Sequence, residues 1–462
     1  MREPGSAALR SLPGMGDTIV AIATPGGRGA VAVVRLSGNR AVDIASRHIA
    51  PWVDSANEVH LADVRDSQGN LLDRALVSVF RAPRSFTGED VVEVSTHGGV
   101  VVPQSVVAMF IAAGARQAAA GEFTRRAVAN GKLDITQAEA IADLVDAQSR
   151  SMQRAALSQM DGALSRRIHE LRESLLELEA FLAYDIDFPE EDDGPIGRET
   201  IAKHAAETLH ALRSLISTGA AGELVREGAV VVIAGPPNVG KSSLFNALLG
   251  HSRAIVTDIP GTTRDALEAL VDAGDFPIRL VDTAGLRQSD DFVEKLGIEV
   301  SKKYLGAADV VLACAETQEQ LRATLDSLLE ITDVTVIPVL TKRDLVALSS
   351  QSGFANDGGL EISTLTGEGI PLLLETIQAI LKSEHVLASD TPLLTRARHI
   401  AAVTTAADEL EDFLANWTSG RLPATVAAIH VRASANALEE LIGVVDVEHV
   451  LDRVFSSFCV GK

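Results

Sequence analysis

The run Gly235-Pro-Pro-Asn-Val-Gly-Lys-Ser242 places two glycines, a lysine and a hydroxyl residue in the spacing G-x-x-x-x-G-K-[ST]. That spacing suits one chemistry. Backbone N–H groups of such a loop point inward at phosphate oxygens, and the helix that follows adds the positive potential of its N-terminus. Lys241 reaches the outer phosphates, and the Ser242 hydroxyl is offered to Mg2+. The flanks agree, with the apolar β-type run Ala229 to Ala234 leading in and the helix-like stretch Ser243 to Leu249 leading out. A nucleoside triphosphate site is predicted, with Asn238, Val239, Gly240, Lys241, Ser242 and Ser243 as its contacts.

Two more short motifs follow in the order such a site needs. Asp282, Thr283, Ala284 and Gly285 close an apolar run, where a carboxylate can hold Mg2+ through water and a glycine N–H can sense the terminal phosphate. Further on, Thr341-Lys-Arg-Asp344 ends the run Val334 to Leu340, so Thr341, Lys342 and Asp344 are read as base contacts. The Asp344 carboxylate accepts from both N1–H and the 2-amino group of guanine, whereas adenine has an unprotonated N1 and no 2-amino group. Guanine is therefore favoured. Ser363 and Thr364, after the run Leu360 to Ile362, would back the base.

Between the first two motifs lies a polar, glycine-broken segment suited to a switch loop: Thr257, Asp258, Ile259, Pro260, Gly261, Thr262, Thr263, Arg264 and Asp265. Thr263 is its Mg2+ candidate. Leu286 stands where many enzymes of this kind place a water-orienting glutamine, and leucine cannot hydrogen-bond water. Charge neutralisation must then come from elsewhere. Arg264 and Arg287 are candidates, and each is equally readable as a surface or switch-stabilising residue.

These motifs need several folded units to hold them, and 462 residues with 46% apolar content supply cores for about three domains. The formal net charge of −22 argues against phosphate-driven nucleic-acid binding over the whole surface, so any RNA contact is local or shared. The acidic run Glu190-Glu-Asp-Asp193 reads as a solvated loop. Cys314 and Cys459 both read as unpaired, which implies a reducing, cytoplasmic setting. No apolar run has the length of a membrane span.

Residues 1–16 read as a loose extension, and 17–131 mix short β-rich runs with helical stretches. Thr136-Gln-Ala-Glu139 has capping-box spacing and is expected to open a helical region over 132–227. Within it Leu164, Ile168, Leu171, Leu175, Leu178 and Leu182 alternate steps of four and three, one stripe of bundle core. Residues 228–384 alternate strand-like and helix-like segments, the pattern of a mostly parallel α/β domain. Residues 385–462 return to helix, so the α/β unit is expected to be inserted into a helical domain whose halves flank it.

Asn238, the block from Thr257 to Asp265, Asp282-Thr-Ala-Gly-Leu-Arg287 and the terminal Phe458-Cys-Val-Gly-Lys462 together resemble the MnmE (TrmE) family of tRNA-modification GTPases. The likeness extends to Thr24-Pro-Gly-Gly-Arg-Gly29, Ser85-Phe-Thr-Gly-Glu-Asp90, His97-Gly-Gly99, Gly121-Glu-Phe-Thr-Arg125 and Gly131-Lys-Leu-Asp134. The resemblance implies a multidomain chain: an α+β N-terminal folate-binding-like domain, a discontinuous α-helical domain, and an inserted Ras-like α/β P-loop G domain. It also implies a GTPase in which K+ replaces an arginine finger when two G domains meet in a homodimer. By matching position, K+ would be held by Asn238 and the loop that includes Thr257, Ile259 and Thr262, Mg2+ by Ser242 and Thr263, and the water network by Glu294. Lys241 and Thr263 join Glu294 as catalytic residues in that reading.

The same resemblance implies that the N-terminal domain dimerises and binds a reduced folate, 5,10-methylene- or 5-formyl-tetrahydrofolate, at Arg35, Glu93, Lys132 and Lys462. An FAD-containing MnmG-type partner and tRNA are implied too, the product being a carboxymethylaminomethyl or aminomethyl group at C5 of the wobble uridine. A ribosome-assembly or RNA-chaperone GTPase is a competing reading, against which stand the split helical domain and the Phe-Cys-Val-Gly-Lys tail. A non-hydrolysing, nucleotide-switched scaffold is a third. Thr341 stands where the guanine motif more often has asparagine, which predicts weaker guanine affinity with selectivity kept by Asp344.

Overall fold

Alternation of inward apolar and outward side chains builds the first sheet. The protein's structure, a computed structural model, describes residues 14–187, 196–251, 267–282, 304–345, 359–385, 392–419, 423–443 and 461. They divide into two compact units, one of Met1–Ala142, Gln159–Leu209 and Thr405–Lys462, the other of Asp143–Ser158 and His210–Thr404.

In the first unit, β1 (Ile19–Ile22), β2 (Val31–Ser37), β3 (Ile49–Ala50), β4 (Val59–Arg65), β5 (Leu71–Phe80), β6 (Val91–His97) and β7 (Arg116–Gln117) form one sheet in the order β3-β4-β5-β6-β2-β1-β7. Only the β1–β7 pair is parallel. One face sends Val34, Leu36, Ala75, Val77, Val79, Val92 and Val94 into a core with Ile44 and Phe110 of the helices Ala41–Ser46 and Val101–Ala112. The intervening residues point the other way, so Leu61 and Leu76 stay exposed and Arg35 and Glu93 share the open face.

The expected leucine stripe is realised on the helix Ala163–Asp187, where all six residues are buried. It packs against Ala424–Ile442, and Arg172 Nε donates to Glu439 Oε1 at 2.9 Å. Helical residues on both sides of the α/β insert thus share one unit. A second lock sets Arg198 over the Trp417 ring at 4.0 Å, while the indole N–H donates to the Arg198 carbonyl.

The expected capping box is corrected by two positions. Asp134 Oδ1 accepts from the Gln137 N–H at 2.9 Å, and Gln137 Oε1 accepts from the Asp134 N–H at 3.1 Å, so the box is Asp134–Gln137. Thr136 already lies inside the helix Ile135–Asp146, with its hydroxyl 2.9 Å from Ser165 Oγ. The same hydroxyl donates to Asp134 Oδ1 at 2.7 Å, so Thr136 supports the cap from within the helix.

In the second unit, β8 (Ala229–Ala234), β9 (Leu267–Val271), β10 (Ile278–Asp282), β11 (Val310–Ala315), β12 (Thr335–Leu340) and β13 (Leu360–Glu361) run in the order β13-β12-β11-β8-β10-β9. All pairs are parallel except β9 with β10. Val231, Ile233 and Leu312 enter one core and Val232, Ala234, Val311 and Ala313 another, so burial on both faces explains the unbroken apolar runs. Cys314 lies fully buried in β11, where loss of hydration pushes its thiol up to about 12. The folded Cys459→Ser chain should therefore leave a disulfide reagent unreacted at pH 8 and consume one equivalent only after denaturation; rapid native labelling would contradict that burial.

Candidate nucleotide-binding site and a second polar cluster

The C-terminal ends of five parallel strands converge on one group of residues, the edge at which sheets of this kind bind ligands. β8 runs into Gly235, whose φ of +146° and approach to β11 exclude any side chain: a Cβ there would lie 2.2 Å from the Cys314 carbonyl oxygen. The loop turns through Asn238, also left-handed at φ +62°, and enters the helix Lys241–His251. Lys241 is buried, and its ammonium donates to the carbonyls of Gly235 at 2.9 Å and Pro236 at 2.7 Å. Ser242 Oγ donates to Asp282 Oδ2 at 2.7 Å, and Asp282 is fully buried at the end of β10. A hydroxyl and a carboxylate so placed are hard oxygen donors suited to Mg2+ beside phosphate oxygens. Among the described residues no cluster of three or more His, Cys, Asp or Glu offers an alternative metal cage.

Each side chain of the base-reading loop is anchored on a different partner. Thr341, 2% exposed, donates through Oγ1 to the Val239 carbonyl at 2.6 Å, so its hydroxyl ties this loop to the phosphate loop instead of facing solvent. Lys342 Nζ donates to the Asn238 carbonyl at 2.8 Å and also meets the Glu316 carboxylate. Arg343 Nη2 pairs with the buried Glu361 of β13 at 2.7 Å. Asp344 is exposed, and its Oδ1 accepts from Ser363 Oγ at 2.8 Å. Ser363 is fixed in turn by the Thr366 N–H at 3.2 Å, within the turn that includes Thr364. The carboxylate is thus oriented before any base arrives. Glu316 and Glu361 were not expected from sequence, and only strand order brings them to the loop. Ser243 lies exposed in the first turn of the helix.

A second cluster stands on the open face of the first sheet. Arg35 and Glu93 are direct partners across β2 and β6, with Nε to Oε1 at 2.8 Å. The guanidinium lies 5.7 Å from the ring centroids of both Phe86 and Phe123. Its Nη1 reaches the Gly461 carbonyl at 3.4 Å, which sets Gly461 beside β2. Gly461 has φ +108°, and a Cβ there would sit 2.3 Å from the Ile22 carbonyl oxygen. Lys132 packs along Gly88 of the Ser85–Asp90 loop and donates to the Pro83 carbonyl at 3.1 Å. Phe86, 38% exposed beside this pair, had no role read from sequence, although its motif was visible.

Thr257, Asp258, Ile259, Pro260, Gly261, Thr262, Thr263, Arg264, Thr283, Ala284, Gly285, Arg287, Glu294, Cys459 and Lys462 lie outside the described residues.

An inserted parallel sheet with a phosphate loop, a buried metal-side carboxylate and a pre-oriented Asp344 defines a P-loop protein of the guanine-nucleotide-binding class. Comparison with known proteins narrows the class. The profile of the MnmE helical domain matches residues 135–459, and that of the GTP-binding protein TrmE N-terminus matches 18–132. The tRNA modification GTPase MnmE of Moorella thermoacetica is 42% identical over 96% of this chain and 99% of its own length. That of Aquifex aeolicus is 38% identical over 97% and 100%. The chain belongs to the MnmE (TrmE) family. Among solved structures, the G domain of the FeoB iron transporter of T. maritima is 29% identical and covers 33% of this chain and 98% of its own, with a TM-score of 0.26, too low to bear on the fold.

Proposed function

We propose that this chain is a potassium-dependent GTPase that works with an FAD-containing MnmG-type partner on the wobble uridine of certain tRNAs, adding a carboxymethylaminomethyl or aminomethyl group at C5. The observation that carries the reading is likeness to relatives named tRNA modification GTPase across almost the whole chain, so that both polar clusters come within one alignment. Hydrolysis begins with positioning. The phosphate loop and Lys241 hold the triphosphate, Asp344 selects the base, and Ser242 with Thr263 would hold Mg2+, which when bound spreads charge off the outer phosphates. K+ at Asn238 and the Thr257–Thr262 segment would supply the neutralisation that an arginine finger provides elsewhere, and Glu294 would orient the water. Pairing of two G domains in a homodimer would complete that arrangement.

On the open sheet face, the Glu93 carboxylate suits the adjacent N–H groups of a pterin, Phe86 suits its flat ring, and Lys132 and Lys462 suit a glutamate tail. A reduced folate would supply the one-carbon unit. A cytoplasmic setting accords with a tRNA substrate, and no helix among the described residues is long and apolar enough to cross a membrane.

GTP turnover by the whole chain should be at least about tenfold faster in K+ than in Na+ at equal ionic strength. Equal rates in the two salts would defeat the potassium mechanism. The folate reading is tested separately by Glu93→Ala, which should abolish reduced-folate binding while GTP binding is spared; an unaltered folate titration would remove that assignment.

A further inference from the structure

Lys342 is one of three non-glycine residues with left-handed backbone among those described, at φ +56°, and Asn238 at +62° is another. One ammonium joins them. Lys342 Nζ donates to the carbonyl oxygen of Asn238 itself, at 2.8 Å, and its other side rests on Glu316. Left-handed conformations are costly for residues with a side chain and persist where surroundings hold them. Glu316 is well placed to do so. It follows the last residue of β11, whose Ala315 carbonyl accepts from the Thr341 N–H at 2.9 Å, and its own N–H donates to Gln320 Oε1 at 3.2 Å. Thr317 next to it caps the helix Gln318–Leu329.

The Lys342 and Glu316 side chains are 37% and 38% exposed, so the pair adds little to stability and its consequence falls on geometry. A lysine stem is flexible, and an ammonium this close to the phosphate loop would otherwise be drawn towards phosphate oxygens. We propose that Glu316 is a positioning residue of the guanine-nucleotide site: it keeps the Lys342 ammonium on the Asn238 carbonyl, so that the base-reading loop and the phosphate loop hold one shared geometry. The inference rests on the nucleotide-binding reading above. Because Asn238 also belongs to the proposed K+ site, the loss of Glu316 reaches the cation requirement as well as the base.

The test uses the full chain, fluorescent GDP and a double-mutant cycle. Glu316→Gln should release GDP about fivefold faster and raise the half-saturating K+ concentration for GTP turnover about twofold, with melting temperature unchanged. Glu316→Asp should fall between the two. Glu319→Gln, which removes the same charge from an exposed position in the first turn of that helix, should match wild type. In a Lys342→Met background, Glu316→Gln should have no further effect. GDP release from Glu316→Gln at the wild-type rate, or an undiminished effect in the Lys342→Met background, overturns the role of Glu316 alone. A wild-type chain that fails to retain GDP overturns the nucleotide reading and this inference together.

Discussion

Asp344→Asn should lose GTP affinity by about 1,000-fold and accept xanthosine triphosphate in its place, because a site built to pair a base edge rejects the edge that leaves its groups unmatched. The structure dictates which way the new amide faces. Ser363 Oγ donates to Asp344 Oδ1 while accepting from the Thr366 N–H, so its proton is committed outward. The amide oxygen would take that proton, and the amide N–H2 would face the base. Guanine presents N1–H and the 2-amino group there, two donors against a donor, whereas xanthine presents a C2 carbonyl. Competition binding with guanine and xanthine nucleotides checks the outcome; retained GTP preference would mean that Asp344 does not read the base.

Arg126→Met is expected to destabilise the first unit by about 3 kcal/mol or more. Arg126 is fully buried and pairs with Glu89 at 3.1 Å and Glu122 at 2.9 Å, while its Nη1 donates to the Asp17 carbonyl at 2.7 Å. Methionine fills similar space, but it leaves two carboxylates without their shared cation. Burial by itself pushes the Glu122 carboxyl up, yet Arg116, the Ala119 N–H and Arg126 outweigh it and hold the group below its ordinary 4.5. A depressed carboxylate lends stability fully above its unfolded value, and that contribution disappears as pH falls through the lower folded value. Wild type should therefore weaken from about pH 4.5 downward, and the gap to Arg126→Met should narrow over the same range. Both tryptophans, Trp52 and Trp417, fall in this unit, so fluorescence during denaturant unfolding at pH 7 and pH 4 reports on it directly. An undiminished gap at pH 4 would deny Glu122 its part.

Function was legible where chemistry is local. The phosphate loop needs consecutive residues in a fixed spacing, and Gly235 to Ser242 announces itself however the rest folds. The apolar runs of β8 and β11 were readable for a related reason, since burial on both faces leaves no polar position to blur them. The antiparallel edge strand β9, short and half-buried, carried no such signal. At the start of the helix Ile135–Asp146, spacing pointed to Thr136 and Glu139 as the capping box, whereas Asp134 and Gln137 form it. Thr136 lies inside that helix, with its hydroxyl donating to Asp134 and close to Ser165, 29 residues away.

The amino-acid order by itself determined the nucleotide chemistry, the preference for guanine and the stripe that fills the helical core, each set by spacing within a few residues. Only the tertiary structure decided that Thr341 grips the phosphate loop, that Glu316 meets Lys342, that Arg35 faces Glu93 across two strands, and that Gly461 returns to lie against β1. Those contacts join residues as near in sequence as Glu316 and Lys342 and as far apart as Ile22 and Gly461, and strand order together with backbone approach, neither of which leaves a periodic trace in the chain, brings them within reach.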